Sequence, residues 1–216
     1  MNKKIFYSYI QKKGSNDMPK GFNNHEKKVI KEALIEQGKQ LFSIHGLQKT
    51  SIQDITSKVG IAAGSFYKFY QSKEELYFEV LEQEEAQIKN ELLQLELGDN
   101  PKQTVKITLL RMITSIEKST IIQQLYLENN LEYLFRKLPP EKLESHFDKD
   151  SDFSSILIQK WEKQGLQFTE SPKMIASILR SLVFLSFQKE KIGELEYPKT
   201  IEFLINHTVN GLIKEE

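Results

Sequence analysis

Cysteine is absent from this 216-residue sequence, which excludes disulfide bonds and thiolate metal ligands and is typical of a protein in a reducing compartment. Long apolar runs are absent too, since none approaches the ~20 residues that a membrane-spanning helix needs. The first residues lack the apolar core of a signal peptide. We therefore expect a cytoplasmic protein with no membrane partner.

Residues that mark enzymes and metalloproteins are equally scarce. The four histidines, His25, His45, His146 and His207, are dispersed, and none lies three or four residues from another, so the sequence has no helical metal-binding pair. It contains no phosphate-binding loop of the form GxxxxGKS or GxxxxGKT. It also lacks the GxGxxG turn that binds dinucleotides. Acidic residues are abundant, but abundance alone does not indicate a catalytic pair. We expect no enzyme activity, no metal and no cofactor.

Ionised residues balance overall but are spread unevenly along the chain. The 30 Lys and Arg match the 30 Asp and Glu, which gives a formal net charge of zero. Residues 1–75 contain 13 Lys and 7 Asp or Glu, so this end carries a net charge of +6 and the remainder carries −6. A basic end on an acidic body is expected when only one end of a protein meets phosphates.

The stretch 50–76 contains the signals of two short helices around a glycine turn. Thr50 or Ser51 can cap the first helix, and Asp54 follows Ser51 with the spacing of a capping box. Gly60 permits the left-handed conformation that ends a helix without strain. A second helix is predicted over residues 62–70. The pair is typical of a helix-turn-helix.

The predicted second helix suits a nucleic-acid groove better than a core. Its first residues are small, which allows close approach to a groove wall: Ala62, Ala63, Gly64 and Ser65. Phe66 and Phe69 or Tyr70 can hold its other side against the protein, which leaves Tyr67 and Lys68 outward. The pattern therefore predicts that this helix enters the major groove of DNA.

A third helix is predicted to begin after Ser72, with Glu75 completing a capping box. Lys73 lies in its first turn, where a cation opposes the helix dipole. A phosphate bound by the helix N-terminus and this lysine together would remove the conflict. We therefore expect Tyr67, Lys68 and Lys73 to contact phosphates, and Gln53 and Ser65 to contact base edges.

The whole stretch resembles the DNA-binding signature of the TetR family of bacterial transcriptional regulators. The resemblance covers residues 26–76 and is carried by Thr50, Ser51, Ile52, Ile55, Gly60, Ile61, Gly64, Ser65, Phe66, Tyr67, Phe69, Tyr70, Ser72, Lys73, Glu74 and Leu76. Ala62 replaces the usual capping serine and Ala63 a longer polar or basic residue, so direct base contacts there are expected to be few. The predicted DNA-binding residues are Thr50, Ser51, Gln53, Ala62, Ala63, Gly64, Ser65, Tyr67, Lys68 and Lys73.

The resemblance implies an all-α fold, with an N-terminal three-helix helix-turn-helix domain joined by a long helix to a helical ligand-binding and dimerisation domain. It also implies a sequence-specific DNA-binding regulator, a repressor released by a small-molecule effector. We expect an arm over residues 1–23, a DNA-binding domain over 24–76 and an effector and dimerisation domain over 77–216. A helical ligand-binding or interaction protein with a degenerate DNA-binding head is the alternative, since Ala62 and Ala63 weaken direct readout.

Apolar periodicity and caps predict helices along the rest of the chain. The expected spans are 24–45, 72–97, 101–118, 120–138, a shorter helix before a polar break at 148–152, then 153–163, 171–191 and 198–214. The arm before them has two readings. It is a mobile or small packing segment, or its lysines follow the DNA backbone.

Two surfaces are predicted in the second domain. Aromatic residues of the middle helices either form core or line a pocket for a lipophilic or aromatic effector: Tyr126, Tyr133, Phe135, Phe147 and Trp161. The last two helices are apolar on more than one face, which predicts a two-fold homodimer. Its expected interface residues are Ile178, Leu182, Leu185, Phe203 and Val209. A two-fold dimer implies an inverted-repeat operator in double-stranded DNA.

Overall fold

The computed structural model describes residues 22–126 and 130–214, which form helices joined by short turns. The helices in these two ranges are α1 (Asn24–Lys49), α2 (Ile52–Val59), α3 (Ala63–Phe66), α4 (Lys73–Leu93), α5 (Pro101–Lys118), α6 (Thr120–Tyr126), α7 (Asn130–Lys137), α8 (Pro140–Lys163), α9 (Pro172–Ser186), α10 (Lys189–Ile192) and α11 (Tyr197–Leu212). None of these described helices has the length and apolar character needed to cross a bilayer. The predicted all-α fold class is confirmed.

Polar residues just before the helices fix where the first two begin. The Asn23 side chain accepts a hydrogen bond from the Glu26 amide, and the Glu26 carboxylate accepts one from the Asn23 amide, both at 2.9 Å. The cap of α1 is therefore Asn23, and the helix begins at Asn24, the first residue of the predicted span. Ser51 and Asp54 form the same reciprocal pair at the start of α2. These bonds satisfy amides that a helix start otherwise leaves unpaired.

The end of α1 differs from the prediction. The sequence places it at Gly46, but the helical segment continues to Lys49 across a kink where Gly46 has φ 79°. The left-handed conformation at this glycine redirects the chain without steric cost. Leu47 is then buried in the core, and the Thr50 hydroxyl donates to the Gly46 carbonyl at 2.8 Å. Burial of Leu47 therefore adds a last turn that local signals do not show.

The predicted polar break at residues 148–152 is wrong, because α8 runs unbroken from Pro140 to Lys163. The segment contains no proline or glycine to interrupt it. Buried residues recur at helical spacing on both sides, from His146 to Ser154 and Trp161. The predicted 171–191 helix is also shorter, since α9 ends at Ser186 and the separate α10 follows.

The described chain divides into two compact units. The first contains the residues up to Gln83 and the segment ending at Leu138, so it comprises α1–α3, the start of α4, and α7. Its core includes Phe42, Phe66, Leu76 and Tyr77, with the rings of Phe42 and Tyr77 packed edge to face at 5.1 Å. The division thus falls inside α4, beyond the boundary expected at residue 76.

The second unit contains the rest of α4 together with α5, α6 and α8–α11. Helix α5 packs against α9 and α11, and α9 packs against α8. The shared core is mostly aliphatic and includes Leu109, Ile113, Leu157, Ile158, Trp161, Leu179, Leu182, Tyr197, Ile205 and Val209. Backbone bonds fasten the end of α11, where the Thr169 amide donates to the Leu212 carbonyl at 2.9 Å.

Candidate nucleic-acid interface

The turn between α2 and α3 is built by one glycine and two anchored rings. Gly60 adopts φ 82° and its amide donates to the Thr56 carbonyl at 2.9 Å, which closes α2. Phe66 and Tyr70 are buried, with their rings 5.7 Å apart, and hold α3 against the first unit. Tyr67 is left 62% exposed, as the pattern of outward residues predicts.

The second helix of the motif is shorter than the predicted span 62–70. Regular α-helix covers only Ala63–Phe66, and Ala62 before it offers no side-chain cap. The next residues form tighter turns, in which the Lys68 amide donates to the Ser65 carbonyl and the Phe69 amide to the Phe66 carbonyl. Their i to i+3 spacing is that of a 3₁₀ turn.

The small residues that open α3 form an exposed surface. Ala62, Ala63 and Gly64 are exposed and Ser65 is half-buried. A Cβ atom built on Gly64 would meet no protein atom within 4 Å, and Gly64 does not have positive φ. Neither packing nor backbone conformation in the described residues therefore requires glycine at this position.

A groove beside this surface gathers part of the predicted site. It measures about 420 Å³ and is lined by Gln48, Lys49, Thr50, Ser51, Ile52, Tyr67, Gln71, Ser72, Lys73 and Glu74. Of the predicted DNA-binding residues, it includes Thr50, Ser51, Tyr67 and Lys73. Lys49 was missed, because the sequence interpretation ended α1 at Gly46.

Asp54 lies beside Ser51 at the N-terminus of α2. The Ser51 hydroxyl and amide both donate to its carboxylate, at 2.6 and 3.0 Å, and these bonds lower the pKa of Asp54. An exposed anion at a helix start complements the dipole of α2. Gln53 beside it is exposed and remains a candidate for a base contact.

Lys73 makes hydrogen bonds within the protein that the sequence did not predict, while its contact with phosphate stays a prediction. Its ammonium donates three hydrogen bonds to backbone carbonyls at the end of α1, to Leu47 at 2.8 Å, Gln48 at 2.9 Å and Thr50 at 2.8 Å. Burial lowers the pKa of this ammonium. The carbonyls at a helix C-terminus carry partial negative charge, so they balance the cation where phosphate was expected to do so. Thr50 is likewise buried, with its hydroxyl bonded to Gly46.

Replacing Lys73 with methionine is expected to lower the free energy of unfolding by about 1–3 kcal/mol, because three charge-assisted hydrogen bonds are lost. Lys58→Met is the matched control, since Lys58 is exposed on α2, and it should change stability by less than about 0.5 kcal/mol. Urea unfolding followed by circular dichroism measures both. Unchanged stability of Lys73→Met, with a weaker salt dependence of DNA binding, would instead make Lys73 a phosphate ligand.

The predicted effector residues are not brought together within one unit. Tyr133 and Phe135 lie on α7 in the first unit, where the Tyr133 hydroxyl donates to Glu74 at 2.7 Å, which raises the pKa of Tyr133 to about 12. Tyr126, Phe147 and Trp161 lie in the second unit. Trp161 is buried in its core, whereas Phe147 is exposed on α8.

Tyr126 packs with two aromatic rings at the C-terminal end of α9. Its ring stacks on Phe187 at 3.6 Å and packs edge to face with Phe184 at 6.2 Å.

The five residues predicted for the dimer interface differ in exposure. Leu182 and Val209 are buried within the protomer, whereas Phe203 is 59% exposed. The exposed apolar surface of these helices therefore omits two of the predicted residues.

A groove in the second unit is lined by apolar residues together with one acidic and two basic ones. It measures about 320 Å³ and is lined by Glu91, Leu92, Leu95, Ile107, Leu110, Arg111, Thr114, Ser115 and Lys118. Arg111 and Lys118 are exposed on α5. None of the predicted effector residues lines it. No group of His, Asp or Glu side chains in the described ranges could hold a metal ion.

Comparisons with known proteins agree with this architecture. The family model described as bacterial regulatory proteins, tetR family, matches residues 34–80, which contain α2, α3 and the start of α4. The regulator YerO of Bacillus subtilis (strain 168), described as HTH-type, is 34% identical over 79 residues, 35% of this chain and 27% of that protein. The HTH-type transcriptional repressor DhaR of Mycobacterium sp. (strain GP1) is 35% identical over 54 residues, 25% of this chain and 27% of that protein.

The likeness to solved structures extends over most of the chain. A TetR-family transcriptional regulator structure from Mesorhizobium loti matches with a TM-score of 0.65 at 18% identity, covering 87% of this chain and 98% of that one. At this identity the match shows the fold, while the matched sequences span about a quarter of the two curated relatives. Residues 34–80 thus match the tetR family of bacterial regulatory proteins, and the chain shares the fold of solved TetR-family structures.

Proposed function

We propose that this chain is a homodimeric transcriptional regulator that binds an inverted-repeat operator, represses transcription and is released by a small molecule. The observation that carries this proposal is the exposed start of α3, where a Cβ atom built on Gly64 would meet nothing within 4 Å apart from its chain neighbours and its own helix backbone. Glycine at this position leaves room for a surface that approaches the backbone of α3 closely. Because the proposed partner is chromosomal DNA, the protein is proposed to act in the cytoplasm.

The residues around Gly64 divide into two kinds of contact. Tyr67, Lys68 and Lys49 are exposed and can reach phosphates, and Ser51 stands at the N-terminus of α2. Gln53 and Ser65 are the candidates for base edges. Ala62 and Ala63 offer only apolar contact, such as with a thymine methyl. Much of the specificity is therefore proposed to come from groove shape and from Gln53.

Protection of DNA from nuclease tests this function. The purified protein should protect an inverted repeat in DNA flanking its gene, and the protection should persist in excess unrelated duplex. If competitor DNA abolishes the binding, the DNA-binding domain is degenerate and has no sequence preference. Repression, as in the name of DhaR, would then be tested by transcription in vitro from the protected promoter.

The dimer proposal is supported by exposed apolar side chains on the last long helices. Met174 and Phe184 on α9 and Phe203 on α11 are at least half exposed, and Ile178 and Leu185 lie half-buried on α9. Large apolar side chains exposed together mark association surfaces. Two-fold pairing of this surface would place two copies of α3 on a two-fold symmetric operator.

The effector proposal is supported by the groove between α4 and α5. Leu92, Leu95 and Leu110 suit an apolar body, and Arg111 and Lys118 suit an acidic group, although Glu91 also lines the groove. Helix α4 contributes residues to both units, so a ligand that favours one packing of the second unit can bias the first. The proposed effector is an amphiphilic carboxylate.

Decanoate is expected to release the protein from DNA at a concentration at least about tenfold lower than decanol does. The two probes share an apolar chain and differ in charge, and Arg111 and Lys118 would bind only the charged group. Fluorescence anisotropy of labelled operator measures release. The double variant Arg111→Gln, Lys118→Gln should remove the preference. Equal potency of both probes, or a preference kept by the variant, would place the effector elsewhere.

A further inference from the structure

Helix α7 belongs to the first unit, although its neighbours in sequence do not. The helices before and after it, α6 and α8, lie in the second unit, whereas α7 groups with α1–α3 and the start of α4. Its residue Leu134 is completely buried. A segment from the half of the chain that the sequence assigned to effector binding is thus built into the unit that contains α3.

Two side chains of α7 form hydrogen bonds with two different helices of this unit. The Tyr133 hydroxyl donates to the Glu74 carboxylate at 2.7 Å, in the first turn of α4. The Gln48 amide group, in the last turn of α1, donates to the Asn130 side-chain oxygen at 2.9 Å. Helix α7 therefore links the end of α1 to the start of α4.

Lys73 joins the same two helix ends directly. Its ammonium donates to the carbonyl of Gln48 at 2.9 Å, as well as to those of Leu47 and Thr50. Burial lowers the pKa of Lys73, and the neighbouring carboxylate of Glu74 opposes that change. The residues held by α7 are thus the residue whose carbonyl Lys73 binds and the residue whose charge stabilises Lys73.

These linked residues line the groove that gathers the predicted DNA contacts. Gln48, Lys73 and Glu74 lie in its wall together with Ser51 and Tyr67, whereas the residues of α7 do not line it. The spacing between the end of α1 and the start of α4 therefore sets the shape of the groove. Binding sites need such outer hydrogen bonds to keep the contacting residues in a productive geometry.

We propose that Tyr133 and Asn130 are positioning residues for DNA binding, which hold Glu74 and Gln48 so that the groove fits the phosphate backbone. The inference rests on the proposed DNA binding and assigns the residues that set its geometry. Tyr133 contributes more than Asn130, because its bond is partly buried and has an ionised acceptor, whereas the Gln48 bond is exposed and neutral. None of these residues belongs to the predicted arm, of which residues 1–21 lie outside the described ranges.

The double variant Tyr133→Phe, Asn130→Ala removes both bonds and tests the proposal. It should weaken operator binding by about tenfold, the effect of losing two hydrogen bonds. It should also reduce the slope of log K against log salt by about one, since a displaced groove wall loses a phosphate contact. Anisotropy of labelled operator, measured well below the unfolding temperature, gives both quantities. A purely structural role would lower the unfolding temperature and leave the slope unchanged.

Tyr197→Phe is the matched control. The Tyr197 hydroxyl donates to the Glu117 carboxylate in the second unit, so this variant loses the same kind of bond at a site away from α3. It should lower the unfolding temperature, while its operator affinity and salt slope remain those of the unaltered protein. A double variant with the affinity and slope of this control would overturn the positioning role and leave DNA binding by α3 intact.

The dependence of Tyr133 on its partner gives a second test. Tyr133→Phe alone should weaken operator binding by about three- to tenfold, and it should have no further effect in Glu74→Ala, where the hydroxyl has no acceptor. In Glu74→Gln, which keeps an acceptor oxygen, the loss should return. An equal loss in all three backgrounds would overturn the proposal. If the unaltered protein binds no DNA, the proposed function itself fails, and the positioning role with it.

Discussion

Replacing Gly64 with alanine is expected to weaken operator binding by about tenfold or more while leaving the protein as stable as before, or more stable. The added methyl group meets no protein atom within 4 Å, and the backbone there does not have positive φ. Alanine is favoured over glycine in helices by up to about 1 kcal/mol, so folding should not suffer. The methyl group would instead occupy the space that DNA enters, and loss of close approach lowers affinity.

Gly211→Ala is the matched control for this prediction. Gly211 lies near the end of α11, and a Cβ atom there also meets nothing within 4 Å, but it belongs to the second unit. The operator affinity of the Gly211→Ala variant should equal that of the unaltered protein. Thermal unfolding and anisotropy titration with labelled operator measure both quantities. Full operator affinity in Gly64→Ala would show that the opening of α3 does not meet DNA.

The double variant Phe184→Glu, Phe203→Glu is expected to be monomeric at micromolar concentration and to lose operator affinity by a factor of about 100 or more. These side chains are 55% and 59% exposed, so glutamate should not disturb the protomer core. Buried in a dimer, the introduced carboxylates would be desolvated and would lack partners. Operator affinity falls when the dimer is lost, because in a dimer the second half-site binds in an effectively intramolecular step.

Leu195→Glu controls for added negative charge. Leu195 is 87% exposed and lies between α10 and α11, outside the proposed interface. Sedimentation velocity should find this variant dimeric and the double variant monomeric, with unchanged circular dichroism for both. A double variant that stays dimeric would move the interface elsewhere. Leu182→Glu would not make this distinction, because Leu182 is buried and its substitution would unfold the protomer.

The features predicted correctly depend on nearby residues. The capping box of Ser51 and Asp54, the turn at Gly60 and the anchoring of Phe66 and Tyr70 are all decided within a few positions of sequence. Helix propensity and apolar spacing act over the same short range, which is why the all-α class was predictable. The exposed opening of α3 followed from the same local pattern.

The features missed depend on residues distant in the chain. Lys73 was interpreted from the dipole of its own helix, whereas the carbonyls that hold it belong to residues 47–50. Lys160 behaves in the same way, since its ammonium donates to the Leu93 and Leu95 carbonyls at the end of α4. The effector residues were grouped by proximity in sequence, although α7 and α8 belong to different units. Tertiary partners of this kind leave no periodic signal in the sequence.

Selection of bound duplexes from a random-sequence library tests the central claim most directly, because the operator sequence does not have to be chosen in advance. The unaltered protein should enrich one inverted repeat whose half-sites are separated so that both lie on one face of the duplex. Gly64→Ala should fail to enrich it under the same conditions. Recovery of sequences without any shared motif would contradict sequence-specific recognition by this surface.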